Sequence, residues 1–297
     1  MRTGSVQWDL VSDGTIGLDG GAMFGVVPKP LWERKSPPDD RNRIRLGLNA
    51  LLLRVDGRVI LVDTGVGRKD PEKFRDLYAV GDERNLVASL ADHGVAPDEV
   101  DTVVYTHLHF DHAGGGTRLD EDGRAVPVFP NARHVVQRAE LEDAQHATVR
   151  SAASYLPPNW EPIRDAGLLD VVEGEMDVAP GVSTFVMRGH VRALTGVRIE
   201  SEGQVALYPS DNMPTSAHVP VPWVMAYDLY PLDTVASKEA MLPEAIDGGW
   251  TMIFEHDPEV GAGRIHRDGK RLEVETLLAA PTATGGATGS ASGGGQA

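Results

Sequence analysis

The segment 106-THLHFDHAGG-115 places His107, His109, Asp111 and His112 within six positions. The chain holds only 10 histidines in 297 residues, so three of them this close ask for a chemical reason. Imidazole nitrogens and carboxylate oxygens are the donors that borderline divalent ions take. A metal site explains the spacing better than a polar loop that happens to be rich in histidine. Four neighbouring side chains do not close two metal shells, so further ligands must come from far away. His190, Asp211 and His256 are the candidates, each set where an apolar run hands over to a loop. Cysteine is absent, which excludes disulfides, thiolate nucleophiles and Cys-type zinc sites and leaves nitrogen and oxygen as the only donors.

These residues need rigid elements to aim them. The apolar run before His107, 101-DTVVYTH-107, reads as a buried strand. Upstream, 49-NALLLRVDGRVILVDTG-65 reads as a β-hairpin around Asp56-Gly57, and 84-RNLVASLADHG-94 as a helix ended by Gly94. Residues 97-PDEV-100 read as a helical turn, 133-RHVVQ-137 as strand and 138-RAELEDAQ-145 as helix. The second half repeats this grammar. Strand 182-VSTFVMRG-189 ends at His190, and hairpin 196-GVRIESEGQVALYPSD-211 turns at Glu202-Gly203 and ends at Asp211. A helix follows over 232–249, then strand 250-WTMIFEH-256 ending at His256, then a hairpin over 264–276 turning at Asp268-Gly269. Paired strands interspersed with helices predict two mixed sheets covered by helices. Each half is too thin to bury both faces alone, so residues 1–278 read as one domain of two similar halves. No repeat is visible residue by residue. Residues 279–297, made mostly of Gly, Ala, Ser and Thr, read as a disordered tail.

The balance of 44 acidic and 28 basic residues gives a formal charge of −16. That favours solubility, and without a Lys/Arg run it argues against a nucleic-acid partner. No apolar run reaches membrane-span length, and 1-MRTGSVQWDL-10 lacks a signal-peptide pattern. A cytoplasmic protein with no membrane partner is the resulting expectation.

The order of motifs resembles the metallo-β-lactamase superfamily of dinuclear metallohydrolases. That family has a strand ending in Asp-x-Gly, matched by 61-LVDTG-65, and then His-x-His-x-Asp-His, matched in full by 107-HLHFDH-112. A lone His, a lone Asp and a final His follow, at spacings that His190, Asp211 and His256 fit. The resemblance covers about residues 15 to 275. It implies an α/β fold, the four-layer αββα sandwich with two mixed β-sheets flanked by helices. It also implies two divalent metal ions. One would be held by His107, His109 and His190, the other by Asp111, His112 and His256, with Asp211 bridging and Asp63 supporting the ligand loop by hydrogen bonds. The donor set suits Zn2+ and would also accept Fe, Mn or Co. The segment 20-GGAMFGVVPKPLW-32 looks like the front of a branch that includes lactonases and methyl-parathion-hydrolase-like enzymes. For this branch a homodimer is the family expectation.

The chain departs from the family in places. Where relatives have Pro-Gly-His-Thr-x-Gly-His, this chain has 188-RGHVRALTG-196, with Val191 and Leu194 replacing the Thr and the second His. The bridging Asp is preceded by Ser210 rather than Gly. The tyrosine that acyl-homoserine lactonases place after that Asp has no counterpart in 211-DNMPTS-216, which leaves Tyr227 or Tyr230 to reach the site.

The implied chemistry is hydrolysis of a small-molecule substrate by a metal-bridging hydroxide, with two ions about 3.5–4 Å apart and Asp111 orienting the nucleophile or passing a proton to the leaving group. Lactones, esters and phosphotriesters of neutral, fairly apolar character are the expected substrates. The rivals are a mononuclear iron sulfur-compound dioxygenase and a glyoxalase-type thioesterase on the same fold. Phe110 inside the motif, and His218, Trp223, Met225 and Tyr227 in the Pro-rich loop 212–231, are candidate substrate contacts. Segment 153-ASYLPPNWEPI-163 reads as a lid or a connection. His93, His134, His146 and His266 read as structural.

Overall fold

The computed structural model describes residues 1–81 and 84–282. The chain opens with β1 (Arg2–Thr3) and the long strand β2 (Val6–Asp19), which sequence patterning does not reveal. Two short helices, α1 (Gly20–Phe24) and α2 (Lys29–Trp32), lead to β3 (Arg43–Val55). β2 and β3 pair antiparallel from Gln7 opposite Arg54 to Asp19 opposite Arg43, with a register shift between Ser12 and Thr15. β4 (Arg58–Val62) completes the expected hairpin; Val55 pairs with Arg58 across Asp56 and Gly57. Both turn residues have positive φ, 55° and 76°, the geometry that makes Asp-Gly a strong hairpin signal.

From β4 the chain runs through α3 (Glu72–Leu77) and the expected helix α4 (Leu86–Asp92) to β5 (Thr102–Val104), parallel to β4. The metal-motif helix α5 (Phe110–Ala113) and a small ribbon, β6 (Thr117–Leu119) with β7 (Ala125–Pro127), follow. Then β8 (Arg133–Gln137), α6 (Arg138–Gln145), α7 (Glu161–Asp165) and β9 (Leu169–Val172) finish the half, with β8 and β9 parallel to β5. The first sheet runs β1-β2-β3-β4-β5-β8-β9.

The second sheet consists of seven consecutive strands: β10 (Asp177–Ala179), β11 (Val182–Met187), β12 (Leu194–Ser201), β13 (Gln204–Tyr208), β14 (Thr251–Ile253), β15 (Val260–Asp268) and β16 (Arg271–Ala279). α8 (Pro231–Asp247) makes the crossover from β13 to its parallel neighbour β14. Three antiparallel strands followed by one parallel neighbour is the pattern of β2 to β5 again, so the halves correspond in topology. The hairpin of β12 and β13 turns at Glu202-Gly203 as expected. The last hairpin turns one residue later than expected: Asp268 pairs with Arg271, leaving Gly269 (φ 58°) and Lys270 at the turn.

Alternation along the strands explains the layering. Leu51, Leu53, Ile60, Val62 and Val104 of the first sheet pack against Val197, Ile199, Tyr208 and Ile253 of the second. Their neighbours Leu52, Leu61 and Val103 point the other way, onto Leu90 of α4 and Leu141 of α6. On the far side, Leu207, Met252 and Ile265 face Leu242 and Ala245 of α8. The result is four layers, helix-sheet-sheet-helix, as the resemblance implied. Strand β16 runs to Ala279, and Thr282 O accepts from Arg45, so residues 279–282 belong to the folded body rather than to a tail. The remainder of the expected tail, 283–297, lies outside the described residues. Among the described residues, no helix is long and apolar enough to cross a membrane.

Candidate metal centre

Strand ends build the centre. His107, His190, Asp211 and His256 each lie three residues beyond the last residue of β5, β11, β13 and β14. β13 and β14 are parallel, and β11 runs with them because β12 is antiparallel to both β11 and β13. The carboxyl ends of these strands therefore open toward one edge of the sandwich, where α/β sheets place their ligands. The strands at His107 and His256 are shorter than the sequence suggested, and the extra residues form the turns that swing both rings inward.

The histidine motif itself is a strand end followed by one helical turn. His109, with ψ 155°, is extended and caps α5; Asp111 and His112 stand on the turn after it. The turn lies against the segment after β4, where Thr64 N donates to His112 O and Gly115 N donates to Gly65 O. A Cβ on Gly114 or Gly115 would stand 2.1 Å from Val66 O or Thr64 O, so only glycine permits this approach.

Two buried groups result, His107 with His109 and His190, and His112 with Asp211, Glu255 and His256. In the first, His109 Nδ1 is 3.1 Å from both His107 Nε2 and His190 Nε2. Ring protons alone cannot satisfy three nitrogens that converge on one point, whereas a cation takes all their lone pairs. Burial and the neighbouring imidazoles hold His107 and His109 well below the usual histidine range, hence neutral and able to donate. In the second group, His256 Nε2 is 3.1 Å from His112 Nε2. Asp211 lies between the groups: Oδ2 is 3.2 Å from His190 Nε2, and Oδ1 is 3.2 Å from His256 Nε2. Burial would raise the Asp211 carboxyl, but His190, His112 and His256 outweigh it and hold the group well below the carboxylate range. Its buried Oδ1 makes no hydrogen bond. Asp111 stands slightly back, 3.8 Å from His256 Nε2 and 4.0 Å from His112 Nε2. The donor set and this unspent oxygen fit a pair of divalent ions.

Each ring but one is aimed from behind through its other nitrogen. Thr106 Oγ1 is 3.0 Å from His107 Nδ1, and Gly47 O accepts from His256 Nδ1 at 2.9 Å. Asp63, itself at φ 59°, accepts from Thr106 N and Thr106 Oγ1 and lies 3.1 Å from His112 Nδ1. Two supports escaped sequence reasoning. Asp228 Oδ1 is 3.0 Å from His190 Nδ1. Glu255 Oε1 is 3.0 Å from His112 Nδ1, while its Oε2 accepts from Ser210. Because Glu255 meets the outward nitrogen of His112, we read it as an orienting group rather than a donor to the centre. An acid within the apolar run 250-WTMIFEH-256 was the signal available for it. The orphan is His109 Nε2, which is buried without a partner; Tyr155 lies edge-on to that ring at 4.7 Å.

Above the centre is a cleft of about 330 Å³, with His109, Asp111, His190, Asp211 and His256 at its floor. Phe110, Met225 and Tyr227 line it, together with Met23, Leu18 and Tyr78. Tyr78 arrives from the segment after α3, with its ring 4.8 Å from Phe110. Two expectations are corrected. His218 is buried behind the wall: Nε2 donates to Met23 O at 2.8 Å, Nδ1 accepts from Thr215 Oγ1 at 2.7 Å, and the ring stacks on Phe24. Trp223 packs edge-on against the same Phe24 instead of lining the cleft. Tyr230 also lies outside it, beneath the Arg188 guanidinium. Segment 153–163 is both wall and connection: Ser154 faces the cleft while Trp160 and Ile163 are core. None of His93, His134, His146 and His266 joins either group.

Two facing mixed sheets between helices, with donors gathered at their strand ends, define a metallohydrolase-type scaffold, and the chain belongs to the Metallo-beta-lactamase superfamily, whose domain matches residues 44–279. Among relatives, an N-acyl homoserine lactonase of Bacillus cereus is 29% identical over 172 residues, 54% of this chain and 61% of that protein. The match thus spans about six-tenths of that relative's length. The N-acyl homoserine lactonase AiiB of Agrobacterium fabrum is 28% identical over 256 residues, 78% of this chain and 87% of that protein. Among solved structures, a probable metal-dependent hydrolase from Staphylococcus aureus is 34% identical with a TM-score of 0.84, covering 94% of this chain and 100% of the other. AidC, a dizinc quorum-quenching lactonase, shares the fold at 20% identity and a TM-score of 0.76, covering 94% and 96%.

Proposed function

We propose that this protein is a dinuclear metal-dependent hydrolase whose substrates are lactones, with N-acyl homoserine lactones the foremost class. One observation carries the reading: beneath a largely apolar cleft, buried His107, His109 and His190 gather in one group and His112, Asp211 and His256 in another, with Asp211 also 3.2 Å from His190 and Asp111 3.8 Å from His256. His107, His109 and His190 would hold one ion, and Asp111, His112 and His256 the other, with Asp211 common to both. Zn2+ is the ion this set suits best. Such a pair supplies Lewis acidity toward the substrate oxygen and makes water nucleophilic near neutral pH.

The chain's own residues do the rest. Phe110, Met225 and Tyr227 bind the apolar part of the substrate and exclude water from it. Asp111, at the cleft floor, orients the attacking water, takes its proton and returns it to the leaving alkoxide. Asp63, Glu255 and Asp228 keep the rings from turning. The lactonase relatives and the fold match to a dizinc lactonase support lactones ahead of phosphotriesters or aryl esters. With His112 and His256 both in place, the second group is complete, which speaks against the mononuclear iron alternative. We also propose a homodimer, which light scattering on the purified chain would test.

The experiment is metal content per chain by plasma emission, paired with hydrolysis of an N-acyl homoserine lactone, a nitrophenyl ester and paraoxon before and after chelation. About two divalent ions and a chelator-sensitive preference for the lactone are expected. Asp211→Asn should lose both ions and activity. One iron per chain without hydrolysis would overturn the reading.

A further inference from the structure

Lys238 is wholly buried in α8, with 0% of its surface exposed. A buried ammonium is tolerated only when its donors are matched. Here all three are: Nζ donates to His218 O, to Pro220 O at 2.9 Å and to Trp223 O at 2.9 Å. Burial lowers Lys238 from 10.5 to about 7, and the charge of Asp228 offsets part of that shift. The three acceptors lie on one irregular stretch, 218–223, which leads from Asp211 to the cleft wall.

That stretch cannot satisfy itself. Pro220 and Pro222 bring no N–H; Trp223 N donates to Pro220 O within the stretch, and Val219 N reaches back to Ser216 O. Without regular structure, something outside must fix its curvature. The next residues, Met225, Ala226 and Tyr227, line the cleft, and Asp228 then orients His190. Beyond the stretch the chain is tied down again: Ala226 N donates to Ala22 O and Leu229 N to His190 O.

We propose that Lys238 is a positioning residue for the substrate cleft: by holding three carbonyls of 218–223 on α8 it fixes the wall formed by Met225, Ala226 and Tyr227, and so sets the length of apolar tail the cleft accepts. The length clause rests on the hydrolase reading above. No neutral side chain can replace the clamp, because only an ammonium presents three donors from a single atom. Arginine keeps the charge but spreads its donors over a plane, so it restores the clamp in part.

The test compares Lys238→Met and Lys238→Arg with the parent, all metal-loaded, on N-butanoyl and N-decanoyl homoserine lactones. For Lys238→Met the expected result is a KM about tenfold higher for the decanoyl substrate, with kcat and both constants for the butanoyl substrate within about twofold. Hydrogen exchange should quicken at amides of 219–229 while 103–113 stays protected. Lys238→Arg should lie between, and it carries the test if Lys238→Met does not fold. Equal losses on both substrates, or unchanged exchange at 219–229, would overturn the proposal. If the parent hydrolysed neither lactone, the hydrolase reading would fall instead. The dissociation constants of the two lactones for parent and variants, read by calorimetry, would then decide the clamp by the same selective shift.

Discussion

At the scale of single residues, the centre depends on groups that touch no substrate. Asp228 meets His190 on the nitrogen turned away from the other donors, at 3.0 Å from Oδ1, and among the described residues its carboxylate is the hydrogen-bond partner of that nitrogen. Support of this kind typically changes metal affinity or activity by about 10- to 100-fold. Asp228→Asn keeps the shape and removes the charge. We expect it to release metal to a competing chelator at about tenfold lower chelator concentration, with little change in thermal stability. Unchanged affinity would show that the backbone bond from Leu229 N to His190 O holds the residue by itself. The histidines and Asp211 that gather in the two buried groups were legible because the motif crowds three of them and because strands end just before the others. Asp228, Glu255 and Lys238 were not, since their partners lie far away in sequence and only packing brings them together. His218 misled in the opposite sense: a histidine in a loop leaving the site looked available, yet both of its nitrogens are engaged in structural bonds.

At the scale of elements, the proposed donors are presented by short turns after strand ends, and the turn at 112–115 is clamped onto the segment 64–66 that follows β4. Gly115 passes so close to Thr64 O that a methyl group has no room. Overpacking of this sort costs about 1–3 kcal/mol. Gly115→Ala should lower the urea midpoint by a corresponding amount and lower bound metal with it, because His112 O is tied to the same segment. A variant that lost stability yet kept full metal would separate the turn from the centre. Hairpins were the most legible elements, since Asp56-Gly57 and Glu202-Gly203 announce positive φ in the sequence. The long strand β2 was hidden because Ser12, Asp13 and Gly14 break its alternation. It persists because Asp13 accepts from Gly67 N and Leu86 N, partners no local pattern can show.

At the scale of the whole molecule, the fold class was readable while its stability carries a pH dependence the sequence hides. His134 on β8 is buried between Tyr105 OH and Phe129 O, and burial lowers it from 6.5 to about 4. Above pH 6.5 neither folded nor unfolded chain binds a proton there, so the residue contributes no pH dependence. Between 6.5 and about 4 the unfolded chain takes up a proton that the folded one refuses. Stability therefore declines as pH falls through that window, at up to about 1.4 kcal/mol per pH unit from this group. Urea midpoints measured from pH 7 to 4.5 should fall less steeply in His134→Gln than in the parent. Parallel profiles would assign the acid sensitivity to other groups.

The convergence of donors from both sheets also has a consequence in time. As the chain is made, His107, His109 and His112 emerge together, long before His256 exists. An ion captured then would meet three loose imidazoles and no defined geometry. Discrimination among ions by shape requires donors that are already fixed. In this chain that condition is met only once β14 has docked beside β13 and the last hairpin, β15 with β16, has closed alongside it. Under the proposed dinuclear reading, the choice of ion would belong to the end of synthesis, when the ions free around the newly folded protein would decide what it carries.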